Sequence, residues 1–418
     1  MERVVITGVG VVAPGGVGRE AFWETLVTGK STSSLVQLDA PEQFRSRIAA
    51  AVSDWEPGRF GLTEEELART SRHIQFGLVA AEEALSESQL DLSRLDPARL
   101  GVAAGTAIGS TLRLEQEYLV VSKQATEFTV DPTLASPFLY HAMSPTSLSA
   151  EIAAKFHVTG PVVTVSTGCT AGIDAIAHAF EWVRDGDADI VIAGAAEAGI
   201  CPVNIASFDA IKATSDRNDQ PGTASRPFDR TRNGFVLGEG SAFLILESLD
   251  HAFGRHAPVI YGEIKGYGSS LNAYHMTGLQ RDGLDMAQAI QAAIDEAGLE
   301  LGAIHYINAH GSSTRQNDIH ETNAIKAVWH EQAYSIPISS IKSMIGHSLG
   351  AIGAIEVAAC ALMLQRRCIA PTINYSTPDP ECDLDYVPNV ARDVAMQNMV
   401  STASGFGGFQ SALVLSAF

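Results

Sequence analysis

Pro161-Val-Val-Thr-Val-Ser-Thr-Gly-Cys169-Thr-Ala-Gly-Ile-Asp-Ala-Ile176 reads as a strand handing over to a helix. The β-branched run Val162–Val165 has the composition of a buried strand, and small residues from Thr170 onward are compatible with a helix. Gly168 supplies the backbone freedom for a sharp turn. Cys169 then stands at the first turn of the helix, where unpaired N–H groups and the positive dipole end favour thiolate over thiol. A thiolate is the nucleophile that a cysteine enzyme needs. Read alone, a cysteine in this position is more often inert core. The remainder of the chain reverses that reading.

Outward from this stretch, strand-like and helix-like patterns alternate, which predicts an α/β fold with largely parallel, buried sheets. Strands are expected at 4–7, 102–104, 162–165 and 190–193, then at 260–268, 304–308, 338–340 and 413–416. Helices are expected at 19–27, 74–86, 170–185, 283–296, 318–329 and 350–366. The two parts rhyme: strand, Gly-Cys169, helix in the first resembles strand, His310-Gly, helix in the second. An internal duplication follows, divided near residue 255 into 1–255 with the cysteine and 256–418 with the histidines. Residues 108–140 show no clean period and read as an insertion over the site or at a partner surface.

Composition narrows the classes. The chain has 418 residues, 46% of them hydrophobic, and 37 glycines. A formal charge of −20 argues against nucleic acid and anionic membrane as partners. The five cysteines (169, 201, 360, 368 and 382) form no CxxC and no metal-ligand spacing, so no metal site and a reducing compartment are expected. The opening residues read as a strand and turn, interrupted by Gly8 and Gly10, without a basic leader. The longest apolar helical stretch, about 349–364, contains Glu356 and is shorter than the ~20 residues that span a bilayer. A soluble, cytoplasmic protein is the expectation.

Two histidines sit in glycine-flanked turns after short apolar strands, in Asn-Ala-His310-Gly-Ser-Ser-Thr and Ser-Ile-Lys342-Ser-Met-Ile-Gly-His347. Positions just beyond strand ends are where α/β sheets place site residues. Lys342 and Glu356 are each costly to bury alone and would neutralise one another, bracing the site. Asp318 and Glu321 neighbour the His310 turn, either bracing it or charging a helix N-terminus. Ser404-Gly-Phe406-Gly-Gly-Phe409-Gln410 can present backbone N–H groups to an anion, with Phe406 as a movable aromatic. Residues 101–109 lack the phosphate-loop lysine and the dinucleotide spacing, and read as a small-residue wall.

Together these motifs resemble the β-ketoacyl-acyl carrier protein synthases of the thiolase superfamily. Arg226-Pro-Phe-Asp-Arg-Thr-Arg-Asn-Gly-Phe-Val-Leu-Gly-Glu-Gly240 is a further matching block. The chain looks most like the catalytic alpha ketosynthase of bacterial type II polyketide synthases. Gln316-Asn-Asp-Ile-His-Glu-Thr-Asn323, the segment 378–388 and Phe409-Gln410 carry that likeness, where fatty-acid elongation synthases have Thr-Asn at the last two positions. The resemblance implies a duplicated thiolase-like fold, layered α-β-α-β-α with two mostly parallel five-stranded sheets. It implies decarboxylative condensation of a malonyl group with an acyl chain on Cys169. His310 and His347 would be neutral donors to the developing enolate, ordered by Lys342 and Glu356. Cys169 and Phe406 N–H groups would form the acyl-transfer oxyanion hole, and Phe406 would gate the site. No permanently bound cofactor is implied, because substrates ride on the phosphopantetheine of an acyl carrier protein. A chain-length-factor subunit is implied as heterodimer partner, and Arg69, Arg72 and Arg217 as carrier-docking residues. Alternatives are a homodimeric fatty-acid elongation synthase and a non-condensing cysteine acyltransferase.

Overall fold

The computed structural model describes residues 1–53, 55–126 and 130–418. Its framework is β1 (Val4–Ala13), β2 (Leu100–Gly105), β3 (Val162–Val165), β4 (Ile190–Ala198) and β5 (Leu237–Ser248), followed by β6 (Gly262–Leu271), β7 (Tyr306–Asn308), β8 (Ile338–Ser339), β9 (Asn398–Gly405) and β10 (Phe409–Ser416). The first five strands lie side by side in the order β3-β2-β4-β5-β1 and the second five in the order β8-β7-β9-β10-β6. Numbered within each set, both orders are 3-2-4-5-1, which is the duplication expressed as topology.

Each five-stranded sheet is mixed, where mostly parallel strands were expected. β3, β2 and β4 are parallel, but β5 runs antiparallel to both β4 and β1. The second sheet repeats the pattern, with β10 antiparallel to β9 and β6. The cause is local: β9 and β10 form a hairpin, and hairpins need no crossover helix. The periodicity reading did not separate β5 or β9 as strands, and these are the elements that meet the antiparallel neighbours. The two sheets are also hydrogen-bonded edge to edge, Val4↔Ile264, Val5↔Glu263 and Ile6↔Gly262, into one continuous sheet.

Helices α1 (Arg72–Ser88), α2 (Ala171–Asp185), α3 (Leu284–Glu296), α4 (Arg315–Trp329) and α5 (Ile352–Arg366) complete five layers. Alternation along the strands shows the layering. Ile190 and Ile192 of β4 pack with α1, whereas Val191 and Ala193 pack with α2 and α5. In the second sheet Ile307 and Val400 pack with α3 and α4, and Tyr306 and Met399 face α5. α2 and α5 therefore form the central layer. They touch closely enough that a Cβ on Gly172 would lie 2.4 Å from the Ala354 nitrogen. Gly8 and Gly10, read from sequence as interruptions, lie inside β1. A Cβ at Gly10 would stand 1.9 Å from the Ala80 carbonyl oxygen of α1, so glycine permits strand–helix contact there. The stretch Leu349–Arg366 is long and apolar enough to be weighed as a membrane span, but 89% of it is buried in the protein. Of the segment 108–140, residues 127–129 lie outside the described residues; the remainder includes the helix Thr111–Val121.

Candidate active site

The topology pairs the motifs differently from the sequence rhyme. β3 and β8 are the third strands of their sets, and each leads into a helix of the central layer. The counterpart of the Cys169 turn is therefore the Lys342–His347 turn, and the counterpart of the His310 turn is the wall after β2, Thr106–Gly109. Because α2 and α5 pack against each other, their leading turns are brought to one place. Cys169, His310 and His347 line a single cleft of about 1190 Å³, together with Phe406, Phe235 and Ile108.

Cys169 sits in the 3₁₀ turn Gly168–Thr170 that precedes α2. Gly168 has φ 66°, the left-handed conformation that the sharp turn requires. The Phe406 N–H donates to the sulfur and the Lys342 charge favours the thiolate, but burial outweighs both and pushes the thiol up to about 11. The thiolate expected from a helix start is thus opposed by desolvation in the closed cleft.

The turn is held by a carboxylate that the motif reading passed over. Asp174 accepts hydrogen bonds from Thr167 Oγ1, from Thr170 Oγ1 at 2.7 Å, from Tyr267 OH at 2.9 Å and from Ser411 Oγ at 2.5 Å. Tyr267 and Ser411 belong to β6 and β10, so the second half of the chain pins the Cys169 turn of the first. The converse also holds. His347 N–H donates to Val236 O at 2.7 Å, and Gly238 N–H donates to His347 O at 2.9 Å, fastening the second half's histidine beside β5. The signal for Asp174 was a carboxylate in an otherwise apolar helix, the same signal that singled out Glu356.

The two imidazoles meet edge to face, with ring centroids 5.2 Å apart and planes at 82°. Burial first, and the Lys342 charge second, hold both well below the ordinary histidine range, so both are neutral. Among the described residues neither Nδ1 has a hydrogen-bond partner. Each neutral ring therefore has one N–H donor and one acceptor nitrogen. Lys342 Nζ lies 2.5 Å from Glu356 Oε1, with both residues buried. Burial pushes Glu356 up to about 7 although the Lys342 charge and hydrogen bond pull it down.

Glu321 braces the His310 turn: its oxygens accept His310 N–H and Gly311 N–H, each at 2.7 Å, and Thr402 Oγ1 at 2.7 Å. Asp318 stands one shell further out. It accepts Phe228 N–H at 2.8 Å and pairs with the buried Arg232 at 3.2 Å, and burial pushes it up to about 6. In the first half Glu197 plays the part of Glu321, accepting Ala107 N–H at 2.6 Å, Thr106 Oγ1 at 3.0 Å and Gly350 N–H at 3.2 Å. Glu197, like Asp174, was legible only as a carboxylate in an apolar run.

The arginines divide. Arg69 pairs with Glu151 at 2.9 Å and Arg72 with Glu239 at 2.7 Å, and neither lines the cleft. Arg217 donates to Thr231 O at 2.9 Å, bracing a residue that does. At the cleft mouth stand Lys212, Arg230 and Arg315, all exposed and without an acidic partner among the described residues. Among the described residues no group of three His, Cys, Asp or Glu side chains could hold a metal ion.

Comparison with known proteins matches residues 1–252 to the beta-ketoacyl synthase N-terminal domain and residues 261–376 to its C-terminal domain. The ketoacyl synthase alpha subunit of the tetracenomycin polyketide synthase of Streptomyces glaucescens is 52% identical over 415 residues, covering 99% of this chain and 97% of that one. Among solved structures, the type II polyketide ketosynthase AntDE, bound to a hexaketide and in complex with its acyl carrier protein AntF, superposes with a TM-score of 0.94 at 42% identity over the whole of both chains. The ishigamide ketosynthase/chain length factor has a TM-score of 0.90 at 33% identity, over 100% of this chain and 99% of that one. The chain belongs to the beta-ketoacyl synthase family, among the ketosynthase alpha subunits of type II polyketide synthases.

Proposed function

We propose that this protein catalyses the decarboxylative Claisen condensation of a malonyl carrier protein with an acyl chain held on Cys169, as the catalytic ketosynthase of a type II polyketide synthase. The observation that carries the reading is one cleft holding a cysteine and two neutral imidazoles, with the Lys342–Glu356 pair behind them. Simple acyl transfer has no use for a second neutral histidine donor.

In the first half-reaction Cys169 Sγ attacks the thioester carbonyl of an acyl carrier protein. The carrier's carbon–sulfur bond breaks and the cysteine proton leaves on the carrier thiol. The N–H groups of Cys169 and Phe406 form the oxyanion hole for this step, and Phe406 gates the change to the next. Malonyl carrier protein then loses carbon dioxide, and the electrons of the broken C–C bond form an enolate. The Nε2–H groups of His310 and His347 hold the enolate oxygen. Its carbon attacks the acyl-cysteine carbonyl, forming the new C–C bond and expelling Cys169. Lys342 and Glu356 order the histidines, while Glu321 and Asp318 fix the His310 turn. Residues 1–255 supply the nucleophile and 256–418 the histidines and lysine.

Substrates arrive on the phosphopantetheine arm of an acyl carrier protein. The uncompensated Lys212, Arg230 and Arg315 at the mouth give an otherwise acidic molecule a cationic landing point for it. Arg217 supports that rim, whereas Arg69 and Arg72 are held in ion pairs with Glu151 and Glu239. A chain-length-factor subunit completes a heterodimer. Support comes from β3 at the open end of the sheet, with Val162 exposed, and from the exposed apolar side chains Tyr118, Tyr140 and Met143. Five free cysteines fit a reducing cytoplasm. The test is mass spectrometry of the protein with acetyl and malonyl carrier proteins, with and without the companion subunit, beside Cys169→Ala. Acyl mass on Cys169 with chain growth only in the heterodimer is expected. Growth without the companion would indicate fatty-acid-type elongation, and no acylation would overturn the reading.

A further inference from the structure

The block Gln316-Asn-Asp-Ile-His-Glu-Thr-Asn323 contributes more than Asp318 and Glu321. Gln316, His320 and Asn323 follow the i, i+4, i+7 spacing of one helix face on α4. They reach three consecutive carbonyls of the segment 272–283 that joins β6 to α3. Gln316 Nε2 donates to Leu279 O at 2.8 Å, His320 Nδ1 to Gln280 O at 2.6 Å and Asn323 Nδ2 to Arg281 O at 2.7 Å. The segment has no regular secondary structure, and it lays Met276–Leu279 along the cleft. Its tip is open to solvent, with Tyr274 61% and Met276 72% exposed.

The same segment is bonded to the glycine turn. Gly407 N–H donates to Met276 O at 2.6 Å, and Asn272 N–H donates to Gly408 O at 3.0 Å. The neighbouring residue, Phe406, is the one whose N–H reaches the Cys169 sulfur. Behind the segment, Asp285 in the first turn of α3 accepts Gln410 Nε2 at 3.1 Å and lies 3.5 Å from His320 Nε2. Ser270, at the end of β6, donates to the Asp285 carbonyl at 2.6 Å. Gln410 and His320, separated by ninety positions in sequence, thus converge on one carboxylate beneath the segment.

We propose that Gln316, His320 and Asn323 staple the segment 272–283 across the cleft mouth and, through Met276 and the glycine turn, act as positioning residues that set the access of a carrier-borne acyl arm to Cys169. This rests on the condensing reading of the cleft. Gln316 and Asn323 are not core residues and spend their amides on loop carbonyls, so their loss loosens the segment without opening the fold.

The test uses the full chain with its companion subunit and compares alkylation of Cys169 by iodoacetamide and by a bulky maleimide. In Gln316→Ala/Asn323→Ala the loss of two hydrogen bonds raises the maleimide rate about tenfold, the iodoacetamide rate less, with melting temperature unchanged. KM for malonyl carrier protein and the single-turnover rate of Cys169 acylation from acetyl carrier protein shift together, because both carrier-borne arms enter by the same mouth. His320→Asn, which keeps a donor near Gln280 O, lies closer to wild type than His320→Ala. Should the double variant fail to fold, the exposed single variant Gln316→Ala carries the test. An unchanged maleimide-to-iodoacetamide ratio in every folded variant overturns the proposal. Alkylation needs no condensation, so a wild type that alkylates but does not condense sinks the functional reading and leaves the staple standing.

Discussion

The two halves of this protein share the strand order 3-2-4-5-1 and differ in what they place at equivalent points. After its third strand the first half carries Cys169, and the second carries Lys342 and His347. After its second strand the first half offers the apolar wall Ala107–Ile108, and the second offers His310. Both second-strand loops hang on a buried carboxylate, Glu197 in one and Glu321 in the other. In the proposed mechanism this repetition of a scaffold divides labour: covalent capture on one side, stabilisation of negative charge on the other. Neither side is self-sufficient, because Asp174 ties the cysteine turn to β6 and β10 while β5 holds the His347 backbone.

The division can be broken first at the histidines. His310→Ala or His347→Ala is expected to lower malonyl decarboxylation by about 10²–10³, the usual cost of one oxyanion donor, while Cys169 still acylates. Radiolabelled carbon dioxide release beside mass spectrometry of the acyl-enzyme measures the two steps, and loss of acylation first would erase the distinction.

A second, smaller effect sharpens the cross-pinning. Asp174→Asn keeps the shape but removes a charge that organises four hydroxyl donors, at roughly 1.5–3 kcal/mol per charged hydrogen bond weakened. Acylation should slow about tenfold or more, and decarboxylation by an already acylated enzyme should change less. Glu321→Gln should give the mirror result. Equal damage to both steps by either variant would mean that the halves do not act separately.

The smallest effect is on the cysteine's titration. With the thiol pushed up to about 11, its thiolate fraction and its alkylation rate should climb with each pH unit above neutrality until the protein itself fails. Lys342→Ala removes the largest influence that lowers this value, so at any fixed pH the variant should react more slowly, on the order of tenfold. Faster alkylation in Lys342→Ala would show that the lysine does not reach across the boundary between the halves.

The amino-acid sequence by itself determined the chemical groups and their local settings. Gly168 before Cys169, glycine beside each histidine, and a lysine and a glutamate stranded in apolar runs are short-range signals, legible because each obeys a local rule of turn geometry or burial cost. The same rule would have found Asp174 and Glu197. Tertiary structure alone decided which groups meet. That β5 and β10 run antiparallel to their neighbours, that Cys169 corresponds to His347 and not to His310, and that Arg69 and Arg72 are spent on Glu151 and Glu239 all depend on partners far away in the chain. Pairing between distant segments, as between the Cys169 turn and Tyr267 through Asp174, leaves no periodic trace in either segment. It exists only once α2 and α5 have packed and closed the central layer.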